Sequence, residues 1–313
     1  MEVRMLGPLE VIDDAGDPVD VGGERPRTLL VDLALERGHT VPADRLLDDA
    51  WGDEAPTRNT LQVTISRLRR ALGSNTITTQ AGGYVLDIPS DAIDVERFDH
   101  LASAGRDALR AGDAADAAHT LRNALALWRG TPLADVAGEE FARPVITRLE
   151  EAHLATIEDR IDADLALGEH TAIVGELEAL VREHPVRERL WAQLMTALYR
   201  SGRQSEALQA YQRARTMLLD EFGIEPGPAL RELERAVLAQ ETGLDPPESA
   251  DELRAPRAGA GNLPEPPNEL VGRRADLDAA ANLVQRHRIA TIVGTGGVGK
   301  TRLAVEVGRN RRE

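Results

Sequence analysis

Leu61, Ile65, Leu68 and Leu72 recur at i, i+4, i+7 and i+11, so the stretch 57–73 closes one apolar stripe only as an α-helix. Gly73 follows the last of them as a C-cap. At about 100° per residue the opposite, exposed face carries Asn59, Gln62, Val63, Ser66, Arg67 and Arg70. The stretch holds four arginines and no acid, inside a chain whose formal net charge is -16. Basic charge gathered this tightly on an acidic molecule indicates a surface that faces phosphate. The side-chain types also suit base edges: arginine pairs with guanine, glutamine or asparagine with adenine, and valine methyls pack on a thymine methyl. On charge alone, a solvated amphipathic helix accounts for the same residues. The flanking segments decide between the two.

Upstream, Val3 to Ile12 and Val19 to Val21 read as short strands separated by a turn at Asp14 to Asp17. A helix from Glu24 to Arg37 presents Leu29, Leu30, Leu33 and Ala34, and Gly38 stops it. A second, from Pro42 to Trp51, supplies Leu46, Leu47 and Trp51. After the arginine-bearing helix, Thr76 to Gln80 and Tyr84 to Ile88 flank a turn at Ala81-Gly82-Gly83 and form a β-hairpin. Strands, three helices and a hairpin spell a winged helix-turn-helix.

At this point the sequence resembles a known family. Arg-Leu-Leu-Asp-Asp-Ala-Trp-Gly at 45–52, Thr-Leu-Gln-Val-Thr-Ile-Ser-Arg-Leu-Arg-Arg-Ala-Leu-Gly at 60–73 and Gly-Gly-Tyr-Val-Leu at 82–86 are similar to the OmpR/PhoB-type DNA-binding domain. They resemble most the version in Streptomyces antibiotic regulatory proteins and AfsR-like activators. Asp-Val-Glu-Arg-Phe at 94–98, Ala-Leu-Trp-Arg-Gly at 126–130, Arg-Glu-Arg-Leu-Trp-Ala-Gln-Leu-Met at 187–195, Ala-Leu-Tyr-Arg-Ser-Gly-Arg-Gln at 197–204 and Glu-Pro-Gly-Pro-Ala-Leu at 225–230 extend the likeness over 1–242. The resemblance implies a major-groove helix at 57–72 with Arg67 and Val63 as leading base contacts. Asn59, Thr60, Gln62 and Ser66 complete its surface, while Arg58, Arg69 and Arg70 hold phosphates. Thr79, Gln80 and Tyr84 would then lie along the minor groove or its backbone. Family wings often carry an arginine just before the turn; Thr78, Thr79 and Gln80 stand there instead, which weakens minor-groove attraction. The family precedent is a homodimer on direct repeats near promoters, helping recruit RNA polymerase holoenzyme, and it points to a secondary-metabolite gene cluster.

The middle of the chain reads as helical repeats. Trp191, Leu194, Ala207, Tyr211 and Ala214 fall at tetratricopeptide spacing. Gly168 precedes Gly202 by about one such period, with Ile173, Leu177 and Leu180 matching Ala207, Tyr211 and Ala214. Leu101, Gly105, Ala117, Leu121 and Ala124 suggest a third copy. By resemblance this region is a bacterial transcriptional activator domain, which implies self-association and support for polymerase contact.

Between Asp245 and Pro267, six prolines alternate with Glu, Ser, Ala and Gly and read as a linker. Beyond it, an apolar strand from Ile289 to Val293 leads into Gly294-Thr-Gly-Gly-Val-Gly-Lys-Thr301, the spacing of a P-loop. Gly294, Gly296, Gly297 and Gly299 would let backbone N–H groups approach phosphate, Lys300 would neutralise it, and the Thr301 hydroxyl would meet Mg²⁺. The chain ends twelve residues later at Glu313, before the further strands and second acidic residue a nucleotide-binding domain needs. The stretch 269–313 therefore reads as the truncated start of an NB-ARC-like domain. No cofactor is required on this reading, and ATP or ADP would bind only in a longer form.

The expected organisation is a winged-helix domain at 1–92, a helical activator domain at 93–242, a linker at 243–268 and the P-loop remnant at 269–313. The fold class is mainly α with a small α+β N-terminal domain, tetratricopeptide-like helices and an incomplete α/β segment. Cysteine is absent, which excludes disulfides and thiolate metal sites. The seven histidines show no ligand spacing, so no metal site is expected, and no nucleophile elbow or acid/base pair marks a catalytic residue. The N-terminus lacks a signal-peptide core, and no run of about 20 apolar residues offers a membrane span. The expected setting is the cytoplasm. A nucleotide-dependent signalling regulator using the P-loop, and a repeat scaffold with a degenerate winged domain, are the competing readings.

Overall fold

The computed structural model describes residues 1–54, 57–241, 244 and 273–286, with the single positions 291, 293, 300, 303, 304 and 307. They fall in two compact units, Met1–Ala250 and Asp251–Glu313.

The N-terminal strand doubles back on itself. β1 (Glu2–Arg4) pairs antiparallel with β2 (Glu10–Ile12), placing Val3 opposite Val11. The expected single strand over 3–12 is thus a hairpin, and 19–21 forms no strand: the isolated bridge beside it joins Ile12 to Pro18, and Val19 donates its N–H to the Val11 carbonyl at 2.8 Å. The reason lies in where the intervening backbone groups go. Met5 and Leu6 donate their N–H groups to the Asp94 carboxylate at 2.7 and 2.9 Å. Their carbonyls accept from Leu133 at 2.8 Å and Arg129 at 2.7 Å. Gly7 bends the chain at φ +154°, with the site of a Cβ only 3.0 Å from the Arg129 Cβ.

α1 (Glu24–Leu35) ends two residues short of the expected Arg37. α2 spans Ala43–Trp51 and α3 spans Arg58–Leu72. A strand that periodicity does not reveal, β3 (Val41–Pro42), joins β4 (Ile77–Gln80) and β5 (Gly83–Leu86) in the order β3-β5-β4. Two residues are too few to show alternation. Gly83 is what admits β3, because a Cβ there would sit 2.0 Å from the Val41 carbonyl oxygen.

Seven helices follow among the described residues of the first unit: α4 (Asp94–Arg110), α5 (Ala114–Leu125), α6 (Ala142–Ala166), α7 (His170–Glu183), α8 (Glu188–Arg200), α9 (Gln204–Phe222) and α10 (Pro228–Ala239). Leu29, Leu30, Leu61, Ile65 and Leu68 share one apolar cluster with Phe98, Ala102, Leu133, Val136 and Leu149. The core under α3 therefore continues across residue 92 into the helices beyond it. A second cluster holds Leu177, Trp191, Leu194, Ala207, Tyr211 and Ala214, and Ile161 and Leu165 carry α6 into it. The expected repeat residues are thus core residues, with Leu180 partly buried against the same cluster. The expected pairing fails at α6, which is 25 residues long and packs chiefly on α5 instead of closing a hairpin with α7. The architecture is mostly α-helical with a small β component at the N-terminal end.

In the second unit the described helix is α11 (Arg274–Arg286). The linker residues 245–268, the P-loop glycines and Thr301 lie outside the described residues, and Lys300 is a half-buried helical residue.

Candidate nucleic-acid interface

α3 starts where Thr57, in extended conformation, turns its carbonyl to accept from Thr60 at 2.9 Å, and it ends at Gly73 with φ +105°. Leu61, Thr64, Ile65, Leu68 and Leu72 face inward. Burying the apolar members contributes roughly 1.5–3 kcal/mol each, enough to fix which side of the helix faces out. Arg58, Asn59, Thr60, Gln62, Val63, Ser66, Arg67 and Arg70 are all exposed, as the apolar stripe requires. Val63 is 45 % exposed, an apolar side chain standing alone on a polar face. Ser66 donates its hydroxyl to the Gln62 carbonyl at 2.8 Å and is left with acceptor capacity outward.

The four arginines of this helix occupy three different states. Arg67 and Arg70 have no acidic partner among the described residues, whereas most arginines of the molecule do. Arg58 pairs with Asp44 at 2.9 Å across the start of α2, both side chains more than 70 % exposed. Such a surface pair is worth about 0–1 kcal/mol, so phosphate can compete for Arg58. Arg69 turns the other way. Its Nε donates to the Ile77 carbonyl at 2.6 Å and its Nη2 to Thr79 Oγ1 at 2.7 Å. The expectation that Arg69 holds a phosphate is corrected in part: two of its five N–H donors are engaged within the protein, and the side chain turns toward the wing.

The wing places Thr79 and Gln80 at the surface, where Gln80 Oε1 accepts from Thr40 Oγ1 at 2.7 Å. Tyr84 is a second correction. It is buried at 7 % exposure with the Arg69 guanidinium 5.8 Å above its ring, because β5 is the central strand between β3 and β4 and is buried at every residue on both faces. Between the start of α2, α3 and the wing lies a notch of about 170 Å³, lined in part by Ala43, Arg58, Gln62, Thr79 and Gln80. Sequence reasoning missed Thr40 and Asp44 at this surface. Neither lies in a motif, and only the pairing of β3 with β5 brings Thr40 to the wing.

The seat of α2 contains a buried acid. Asp32 has no exposed side-chain surface and accepts from Arg45 Nη2 at 2.8 Å, while its other oxygen has no partner. Burial pushes its pKa up to about 7 against the opposing pull of Arg45, with Asp49 adding to the rise. Among the described residues, no group of three or more His, Asp or Glu side chains is placed to hold a metal ion. None of the described helices is long and apolar enough to cross a membrane.

An exposed basic helix seated in a winged scaffold defines the class: a winged-helix DNA-binding transcriptional regulator. Residues 22–86 match the family described as transcriptional regulatory protein, C terminal, and residues 93–238 match the bacterial transcriptional activator domain. The chain is 40% identical over 258 residues to the regulatory protein DnrI of Streptomyces peucetius, covering 78% of this chain and 94% of DnrI. It is 39% identical over 322 residues to the regulatory protein AfsR of Streptomyces coelicolor, covering 98% of this chain and 32% of AfsR, so it spans about a third of that relative's length. The solved structure of Mycobacterium tuberculosis EmbR in complex with a low affinity phosphopeptide superposes with a TM-score of 0.73 at 37% identity, covering 80% of this chain and 67% of that one. The chain belongs to the Streptomyces antibiotic regulatory protein and AfsR-like family of DNA-binding transcriptional regulators.

Proposed function

We propose that the chain is a sequence-specific transcriptional activator that lays α3 in the major groove of promoter DNA. The observation that carries this reading is the exposed face on which Arg67 and Arg70 stand without acidic partners beside Gln62 and Val63. Arg67 and Val63 read base edges, with Asn59, Thr60, Gln62 and Ser66 lining the same groove. Arg70, and Arg58 once released from Asp44, hold phosphates. Thr79 and Gln80 carry the wing's share of the contact.

One winged domain covers a short half-site, so two protomers on direct repeats form the binding unit. The helical region, read as tetratricopeptide-like, then serves self-association and contact with RNA polymerase, and the regulated genes belong to secondary metabolism, in the cytoplasm. DNA binding needs no cofactor.

Footprinting of the purified chain on its neighbouring promoters tests the reading. Protected direct repeats one or two helical turns apart are expected, and uniform protection at every salt concentration would overturn it.

A further inference from the structure

We infer that Arg69 is a positioning residue that holds the wing in one register against α3, and not a phosphate ligand. The inference rests on the proposed DNA-binding reading and assigns a role within that same surface.

Three contacts carry it. The Arg69 guanidinium donates from Nε to the Ile77 carbonyl at 2.6 Å, at the start of β4. It donates from Nη2 to Thr79 Oγ1 at 2.7 Å, two residues further along the same strand. Its Cζ also lies 5.8 Å from the centre of the Tyr84 ring on the neighbouring strand β5, opposite Thr79 in register. One side chain of α3 thus grips both strands of the hairpin. The geometry needs the planar fork of arginine: a lysine ammonium, a single point donor on a flexible stem, does not span the two acceptors and cover the ring together.

The wing's composition makes the role measurable. Residues 74–92 contain no lysine or arginine, so displacing the wing removes no cationic contact. Loss of a phosphate-bound arginine lowers the slope of log K against log salt by about one unit; loss of a positioning residue leaves it unchanged.

The test uses the full chain with Arg69→Met, Arg69→Lys and Thr79→Val. The probes are the footprinted promoter duplex and a scrambled duplex. Both Arg69 variants are expected to bind the promoter duplex about tenfold more weakly, with the salt slope and the scrambled-duplex affinity unchanged. Thr79→Val is expected to weaken binding in the same direction, and adding Arg69→Met to it to cost less than the sum of the two. Rescue by lysine, a slope lower by about one unit in Arg69→Met, or additive effects of Arg69 and Thr79 would overturn the inference while leaving promoter recognition standing. Absence of any preferred duplex in the unmutated chain would instead overturn the DNA-binding reading.

A second readout needs no DNA. In the free protein, amide hydrogen exchange over 77–86 is expected to rise about tenfold in Arg69→Met, with 61–68 unaffected. Unchanged exchange in the wing would refute the positioning role even where no duplex is bound.

Discussion

Met5 donates its backbone N–H to Asp94 Oδ1 at 2.7 Å, joining residues 89 apart in sequence. Asp94 opens α4 and is almost fully buried, and Arg129 Nη2 approaches its other oxygen to 3.7 Å. The N-terminal hairpin is therefore anchored in the helical region and not in the winged portion alone. Asp94→Ala leaves two buried N–H groups without an acceptor and is expected to cost about 2–4 kcal/mol. Calorimetry on the variant should show the winged portion and the helices packed on it moving to lower temperature in one shared transition, because a single apolar cluster runs from Val3 to Leu149. Separate melting of the winged portion and of α4 and α5, followed by hydrogen exchange, would argue against a shared core.

Asp32 sets a pH dependence of definite sign. Its pKa is about 7 in the folded protein, above the ordinary aspartate value of 3.8, so the folded state binds the proton more tightly. The associated stabilisation is complete below the unfolded value and is lost as pH rises through the folded one. Asp32→Asn cannot ionise and removes this dependence. Urea unfolding at about pH 5 and about pH 8 should show the parent losing stability relative to the variant at the higher pH. A parent that gains on the variant over that interval would contradict the buried, unpartnered oxygen.

Gly105 and Leu121 meet where α4 packs against α5. A Cβ at Gly105 would lie 2.5 Å from Leu121 Cγ, and Leu121 is fully buried. Gly105→Ala is expected to destabilise by about 1–3 kcal/mol, despite the gain in helix propensity, and Leu121→Ala in the same chain should recover part of it. Thermal denaturation of the two single variants and the double variant decides this.

The helices were legible in the sequence because their signals are local: the stripe from Leu61 to Leu72 and the stop at Gly73 need nothing beyond the helical period. The exposed face of α3 followed directly. What escaped depended on partners distant along the chain. Val3 to Ile12 alternates like one strand, yet Asp94, Arg129 and Leu133 take up the central backbone groups and turn it into a hairpin. Arg69 and Arg70 are indistinguishable as text, while only Arg69 lies within reach of Ile77 and Thr79. Tyr84 reads as a wing surface residue until β3 covers one side of its strand.

The most direct test of the account is binding of Arg67→Ala and Arg70→Ala to the promoter duplex and to single-base variants of it, across a salt series. Arg67→Ala is expected to lose about 1–3 kcal/mol at one matched guanine and to stop discriminating at that position. Arg70→Ala should weaken every duplex alike and lower the salt slope by about one unit. Equal loss of discrimination in both variants, or none in either, would contradict the assignment of α3 as the element that reads sequence.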